Sequence, residues 1–144
     1  MTDNGFRISL AKANTIITAA FAKGKEMDFK PLSVVVTDAG GHVIAFQRQD
    51  GTSFLRLDIA LGKAAGALAL GVNSRKIGEM ALERPVFIAA VSGLADKGIV
   101  PVAGGVIVKG PDGLAIGAVG VTGDTSDNDE MCALAGIAAA GLVS

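Results

Sequence analysis

The sequence predicts an α/β domain of the α+β type, with a mostly antiparallel central sheet and flanking helices. Two segments rich in β-branched residues each contain a glycine turn, which is typical of β-hairpins. Segments with apolar residues at three- and four-residue spacing lie around them, which is typical of helices packed on one side. The chain has 144 residues, a common size for one domain, so we expect residues 1–144 to form a single domain.

The first half of the chain is predicted to be a helix followed by a hairpin. Ser9 is a suitable N-cap, and the apolar positions after it repeat at helical spacing, so the helix is expected over residues 9–25. After Pro31, two β-rich runs at 32–37 and 42–48 flank a Gly-Gly pair. This order predicts two strands joined by a tight turn.

The middle of the chain is predicted to be helical. An Ala- and Leu-rich segment extends to Leu70 and is ended by Gly71. Gly62 and Gly66 leave one of its faces almost without side chains, which lets another backbone approach closely. If the protein is a non-catalytic assembly or sensory module, this helix and the C-terminal Ala- and Gly-rich helix are expected to make subunit contacts.

The remaining elements are a short helix, a connector, a second hairpin and a last helix. The short helix is predicted from Asn73 or Ser74 to about residue 83, where Pro85 stops it, and residues 86–88 are predicted to be an extended connector. Strands at 102–108 and 114–122 are expected around a Gly-Pro-Asp-Gly turn, and a helix over about 125–141 follows.

Composition excludes several classes of partner. Lysines and arginines number 13 against 14 acidic residues, and no basic patch with interleaved aromatics occurs, so neither nucleic acid nor a membrane surface is an expected partner. No apolar stretch reaches the roughly 20 residues that a bilayer span needs. Residues 1–9 lack an apolar signal-peptide core, and the lone Cys132 cannot form an internal disulfide, so we expect a cytoplasmic protein.

The first candidate site is the hairpin, with Asp38, His42, Arg48 and Asp50. His42 is the one histidine in the sequence, so any general base titrating near neutral pH, or any imidazole metal ligand, must be this residue. The alternative is that Asp38 and the glycines simply shape a tight turn beside a solvated His42.

The second candidate is Lys63, which lies within an apolar helix. Either its ammonium reaches the surface, or it is buried and needs a carboxylate partner. Asp58 is five residues away, off the favoured spacing, so a partner would come from elsewhere in the fold or from a ligand's acid group.

The third candidate is the glycine-rich segment 117–123, which leads into a helix N-terminus. Its spacing matches no phosphate-binding motif, and the acidic residues that follow, Asp124, Asp127, Asp129 and Glu130, disfavour a phosphate. Those acids either hold a cation or cap and solvate the helix. A zinc site and a Ser-His-Asp hydrolase are not expected, because there is one Cys, one His and no nucleophile-elbow motif.

Six blocks taken together resemble the GlcG/HbpS-like family, which includes the C-terminal domain of PduO. They are VVTDAGGH at 35–42, RQDG at 48–51, DIALGKA at 58–64, GGV at 104–106, IGAVGVTG at 116–123 and DE at 129–130. The resemblance spans about residues 5–142. It implies a profilin-like fold, assembly into dimers or higher symmetric oligomers such as tetramers or octamers, and, in some members, haem binding or degradation.

The candidate site residues come from these blocks. The candidate catalytic residues are Asp38, His42 and Arg48, and His42 is also the candidate metal ligand. The candidate ligand-binding residues are Arg48, Asp50, Asp58, Lys63, Gly104, Gly105, Thr122 and Glu130. After its Gly-Gly pair the family usually has a short strand that contains proline, which this chain lacks, so its pocket is expected to differ in shape.

Three functions remain open at this point. The first is a small oligomeric protein that binds haem or a related small molecule in a pocket or at a subunit interface, with His42 as ligand or with no strong ligand. The chain has no Tyr, and one histidine cannot supply both sides of a peroxidase-like site. The second is a lyase, isomerase or tautomerase for an oxygenated acid in a catabolic pathway, with Arg48 or Lys63 holding the carboxylate. The third is a non-catalytic assembly or sensory module.

Overall fold

The computed structural model describes residues 5–144, and these fold into a sheet with helices on both faces. The expectation for residues 1–9 therefore lies partly outside the described residues. The elements are α1 Leu10–Glu26, β1 Ser33–Asp38, β2 Val43–Arg48, α2 Arg56–Leu70, α3 Ser74–Glu83, α4 Pro85–Ser92, β3 Gly105–Lys109, β4 Ala115–Thr122 and α5 Ser126–Ala139.

The sheet has the strand order β2-β1-β4-β3, and each neighbouring pair is antiparallel. Alternate residues of each strand face opposite sides. On one face, α1 and α5 cover Val34, Val36 and Val119, whereas on the other face α2 covers Val35 and Ala118. The predicted antiparallel sheet with flanking helices is thus confirmed.

Helix α2 lies unusually close to the sheet because glycines face it. A Cβ on Gly105 would collide with the carbonyl of Lys63, and a Cβ on Gly120 would collide with the carbonyl of Ala60. The helix contributes alanines at Ala60 and Ala64 to the same interface. A core without Trp or Tyr is therefore packed by close approach of backbones rather than by large rings.

The predicted close approach of another backbone to Gly62 and Gly66 is confirmed, and it is made by residues 98–100 of the same chain. A Cβ on Gly62 would lie 2.6 Å from Cγ2 of Val100, and one on Gly66 would lie 3.1 Å from Cα of Ile99. The C-terminal helix behaves likewise, because Gly136 packs against Ile16 of α1. These small-residue faces serve the fold of one chain.

Two predicted boundaries were wrong. Residues 86–88 belong to helix α4, which begins at Pro85, since proline is well tolerated in a first helical turn, where its missing N–H has no partner to lose. Strand β3 begins at Gly105 rather than at residue 102, because Gly104 has φ +126° and leaves the extended conformation. No helix within residues 5–144 is long and apolar enough to cross a membrane.

Candidate functional site

The turn between β1 and β2 is organised by the carboxylate of Asp38. Its Oδ1 accepts hydrogen bonds from the backbone N–H of Gly40 at 2.9 Å and of His42 at 3.0 Å. Gly41 has φ +82°, a conformation that glycine adopts readily. The turn-shaping interpretation of Asp38 and the glycines is confirmed.

The same carboxylate also contacts the His42 ring. His42 Nδ1 lies 3.2 Å from Asp38 Oδ1, and the histidine side chain is 77% exposed. Burial acts to raise the pKa of Asp38, but hydrogen bonds from the backbone of His42 and Gly40 and the nearby imidazole outweigh it, so the pKa lies below its ordinary value. The contact fits the tautomer with a proton on Nδ1, which leaves the lone pair of Nε2 pointing away from Asp38.

Two clefts meet at His42. The larger has a volume of about 520 Å³ and is bordered by apolar side chains of Phe6, Ile8, Ile44 and Ile116. The smaller has a volume of about 200 Å³ and lies towards α2 and the loop that follows α4, where Lys97 lines it. The imidazole can therefore reach a molecule in either cleft.

Arg48 and Asp50 lie at the other end of the hairpin. Strand β2 begins at Val43, next to the turn, and ends at Arg48. At about 3.4 Å per residue, these two residues are separated by roughly 17 Å. Thr122 lies near this end, because Ser33 pairs with both Thr122 and Arg48. The predicted site residues are thus divided into two groups within one chain.

Lys63 is buried and forms an ion pair. Its Nζ lies 3.0 Å from Oδ2 of Asp129, and both side chains are 2% exposed. The ammonium also donates to the carbonyl oxygen of Val121 at 3.0 Å. A Cβ at Gly104 would lie 2.8 Å from Nζ, so glycine at that position makes room for the lysine head.

Burial is the largest influence on the pKa values of both Lys63 and Asp129. It lowers the pKa of Lys63 despite the opposing attraction of Asp129, and it raises the pKa of Asp129 despite the attraction of Lys63. The surface-reaching alternative for Lys63 was wrong. The partner comes from elsewhere in the fold, so a ligand's acid group is not needed there.

The sequence analysis names Asp129 but does not identify it as the partner of Lys63. The sequence assigns it with its neighbours to a cation or to helix capping. The cap of α5 is Thr125, whose Oγ1 accepts from the backbone N–H of Asn128, whereas Asp124 accepts from the backbone N–H groups of Lys30 and Thr125 outside the helix. Asp129 instead shares the buried face of α5 with Cys132, Ala133 and Gly136. That three-, four- and seven-residue spacing was the available signal. Within residues 5–144, no group of three or more His, Cys, Asp or Glu side chains is arranged to hold a metal ion.

The remaining predicted residues have structural surroundings of their own. Glu130 receives a hydrogen bond from Nε of Arg75 at 3.0 Å, and the same guanidinium lies 2.6 Å from Asp127. Asp58 is on the exposed side of α2. Gly104 and Gly105 are buried against Lys63, and Thr122 accepts a hydrogen bond from Arg56.

Comparison with known proteins gives consistent matches. Residues 8–138 match the family model described as "Haem degrading protein HbpS-like". An uncharacterised 15.0 kDa protein from the dhaT-dhaS intergenic region of Citrobacter freundii is 32% identical over 126 residues, covering 88% of this chain and 87% of that protein.

Solved structures agree with this fold. A crystal structure of a PduOC–haem complex superposes with a TM-score of 0.83 at 23% identity, over 95% of this chain and 97% of that one. The crystal structure of HbpS gives 0.79 at 24% identity, over 96% and 92% of the two chains. Klebsiella pneumoniae protein ORFY gives 0.81 at 24% identity, over 100% and 99%.

Proposed function

Because this chain belongs to the HbpS-like family, we propose that it is a small ligand-binding protein that binds haem, or a related flat apolar molecule, in the larger cleft beside His42. The observation that carries the proposal is the exposed imidazole held by Asp38 at the edge of a cleft of about 520 Å³, which is lined by the apolar side chains of Phe6, Ile8, Ile44 and Ile116 together with Arg7. The PduOC crystal structure that resembles this chain is a haem complex, which supports haem as the first ligand to test.

The donor set at the turn fits a haem iron. Histidine is a common axial ligand, and ligating histidines typically donate their other ring N–H to a carboxylate. His42 has this arrangement, with Nδ1 on Asp38 and Nε2 pointing away from it. When bound, the iron would supply redox chemistry, whereas the protein residues would hold and orient the group.

The exposed position of His42 favours a site completed by a second copy of the chain. A macrocycle resting against Phe6 and Ile44 would leave its other face in water, because Phe6 is 49% exposed and His42 77% exposed. Covering that face would bury more apolar area and strengthen binding. We therefore place the ligand at a subunit interface in the proposed assembly.

Helices α3 and α4 provide a surface for that assembly. Leu82, Val86 and Leu94 are between 82% and 87% exposed, and Ile88 is the buried residue of α4. Large apolar side chains exposed to this degree in one stretch of the chain favour a protein–protein contact. We propose a homo-oligomer, a dimer or a higher symmetric form such as a tetramer or octamer.

Haem titration tests the proposed ligand. Because the chain has no Trp or Tyr, the spectrum of the loaded protein above the phenylalanine bands comes from haem alone. Ferric haem should show a shifted Soret band with the wild type and a different, weaker one with His42→Ala. Lys97→Ala, which alters the smaller cleft, should behave as wild type. An identical shift in His42→Ala would exclude ligation by that imidazole.

Sedimentation tests the assembly independently of haem. The wild type should sediment as an oligomer, and the double variant Val86→Asp, Leu94→Asp should dissociate while keeping its circular dichroism spectrum. A monomeric wild type would refute the interface site. An oligomer that takes up no haem and no small acid would instead support a non-catalytic assembly or sensory module.

The Asp38–His42 contact also favours a second candidate function, proton transfer on an oxygenated organic acid as in a lyase, isomerase or tautomerase. The smaller cleft is lined by His42 and Lys97, and also by Asp96, whose carboxylate lies 3.6 Å from the Lys97 ammonium. A substrate carboxylate would bind this ammonium in competition with the exposed Asp96. Arg48 is roughly 17 Å from the turn, so it could join His42 only from another subunit. Assays of turnover with hydroxy and keto acids test this function; turnover that is indifferent to His42→Ala would refute it.

A further inference from the structure

Three side chains line up across the sheet at the end farthest from His42. Ser33 of β1 pairs directly with Arg48 of β2 on one side and with Thr122 of β4 on the other. Directly opposed residues of antiparallel strands project from the same face. Ser33 lies two residues from Val35, which packs under α2, so the row lies on the α2 face.

The first residue of α2, Arg56, extends over this row. Its Nη1 donates to Oγ1 of Thr122 at 2.9 Å, and its side chain is half-buried. Among residues 5–144, no carboxylate lies within 4.0 Å of the guanidinium of Arg48 or Arg56. Arg48 and Arg56 are therefore both linked to the Ser33 row, Arg48 through strand register and Arg56 through Thr122, and within residues 5–144 neither has an acidic partner.

Ser33 has an unusual environment for a buried hydroxyl. Ser33 is 0% exposed. Among the buried side-chain nitrogen and oxygen atoms of residues 5–144, its Oγ is the one that has no hydrogen-bond partner. A buried hydroxyl left unpaired destabilises a fold, so such groups are normally satisfied by protein, water or a ligand. The residues paired with Ser33 on the two neighbouring strands are Arg48 and Thr122, and Thr122 accepts a hydrogen bond from Arg56.

The local charge also favours an anion. Asp129 neutralises Lys63, and the positive charge of Arg56 is close enough to act on Lys63 as a repulsion. Asp124, the next acidic residue after Thr122, is already engaged by the backbone of Lys30 and by the amide of Asn128. Asp50 and Asp58 lie two residues along the chain from Arg48 and Arg56, but within residues 5–144 neither carboxylate lies within 4.0 Å of these guanidinium groups, so both arginines remain available to an anion.

We propose that Arg48, Arg56 and Ser33 form a binding site for a small carboxylate anion, separate from the His42 clefts. A planar carboxylate matches the parallel N–H groups of a guanidinium, and the hydroxyl of Ser33 donates the further hydrogen bond. The N-terminus of α2 adds its positive end at the same place. Arg48 is exposed on the edge strand β2, whereas Ser33 is 0% exposed, so the anion reaches the hydroxyl only when the side chains over the row move aside.

Differential scanning calorimetry with malonate as the probe tests this site, with sodium chloride at equal ionic strength as the reference. Malonate should raise the Tm of the wild-type protein, and isothermal titration should give one site per chain. Arg48→Gln and Arg56→Gln should each weaken malonate binding about ten-fold or more. Arg84→Gln, which alters an arginine over Phe87 elsewhere, serves as the matched control and should bind malonate as wild type does.

Ser33→Ala separates a ligand site from a structural defect. If the hydroxyl awaits a ligand, the Tm of the variant in chloride should equal or exceed that of the wild type, because an unpaired buried hydroxyl is destabilising. The variant should also lose most of the malonate-induced rise. A lower Tm in chloride with an unchanged malonate response would overturn the proposal, since the hydroxyl would then be satisfied internally. If Arg48→Gln, Arg56→Gln and Arg84→Gln all change the malonate-induced rise in Tm equally, the rise reflects general charge screening and the proposal is overturned. Tighter binding of inorganic phosphate than of malonate would refute the assignment of the ligand as a carboxylate.

The proposed haem site at His42 and the proposed carboxylate site at Arg48 and Arg56 can be tested independently. His42→Ala should retain malonate binding, because the turn lies roughly 17 Å from Arg48. Conversely, Arg56→Gln should retain the haem spectrum. Loss of malonate binding in His42→Ala would show that one shared site exists and would overturn the inference.

Discussion

The ammonium of Lys63 lies 3.0 Å from the carboxylate of Asp129, and the two residues are 66 positions apart in sequence. The pair joins α2, on one face of the sheet, to α5, on the other. It passes the end of the sheet beside Val121 and Gly104, where a glycine leaves space for the lysine head. One charge pair therefore connects the two helical layers.

Breaking this pair on one side should be costly. In Lys63→Met the carboxylate of Asp129 stays buried and loses its counter-ion, because Asp129 is 1% exposed as a whole residue. Removing one partner of a buried pair typically costs about 3–5 kcal/mol. Urea unfolding followed by circular dichroism should show a loss of this size in the free energy of unfolding.

Removing both charges should cost less than removing one. The double variant Lys63→Met, Asp129→Leu leaves apolar groups of similar volume, and such replacements are often neutral. We expect it to regain most of the stability lost in Lys63→Met. A double variant as unstable as the sum of the two single variants would show that the charges do not act as a pair.

The instability of Lys63→Met should depend on pH. Burial raises the pKa of Asp129, and removing Lys63 takes away the attraction that opposes this rise. Between the unfolded pKa, 3.8, and the raised folded pKa, the folded state binds more protons than the unfolded state, so the free energy of unfolding falls as pH rises through this window. The difference from wild type, measured by urea unfolding at several pH values, should thus widen from pH 4 upwards; a constant difference would contradict a buried, titrating Asp129.

The sheet and its main helices could be predicted because their signals are local. The Gly-Gly pair between two β-rich runs specifies the first hairpin, and Gly71, at φ +75°, ends α2 as predicted. Helix α4 could not be assigned with the same rules. Val86, Phe87 and Ile88 suit a strand as well as a helix in so short a run, and Pro85 stops one helix while beginning the next.

The candidate site was harder to predict because it depends on contacts between distant segments. Asp38 and His42 are four residues apart, and the sequence predicts the turn that brings them together. The burial of Lys63 was decided by Asp129 on another helix, and no spacing within α2 encodes that. Ser33 and Arg56 were missed for the same reason, since their neighbours across the sheet follow from strand register rather than from a motif.

Gly120 should tolerate no side chain. A Cβ there would collide with the carbonyl oxygen of Ala60 and lie 3.1 Å from Cβ of Ala64, both on the helix that packs over β4. Overpacking of this kind costs about 1–3 kcal/mol, and a backbone obstacle places Gly120→Ala at the upper end. Thermal unfolding should show a clearly lower Tm.

Gly93→Ala is the matched control for that substitution. Gly93 has φ −71°, which any residue adopts, and its Cβ would lie 3.6 Å from the carbonyl oxygen of Ala90, an ordinary contact. Reduced flexibility of the unfolded chain should make this variant neutral or stabilised by up to about 1 kcal/mol. Similar losses at both glycines would indicate that the close approach of α2 to the sheet is not what limits Gly120.

Cys132 should be chemically inert in the folded protein. Its thiol is fully buried on α5, and burial, with the negative charge of Asp129 nearby, raises the pKa to about 11. The thiolate is the reactive form, so at pH 8 the native protein should react with a disulfide reagent far more slowly than the same protein in denaturant. Lys63→Met, which destabilises the same helix, should react faster in proportion to its lost stability, because exchange then proceeds through opened molecules. Rapid modification of the stable wild type would mean that α5 opens locally near Asp129, and the buried ion pair would then not secure that helix to the sheet.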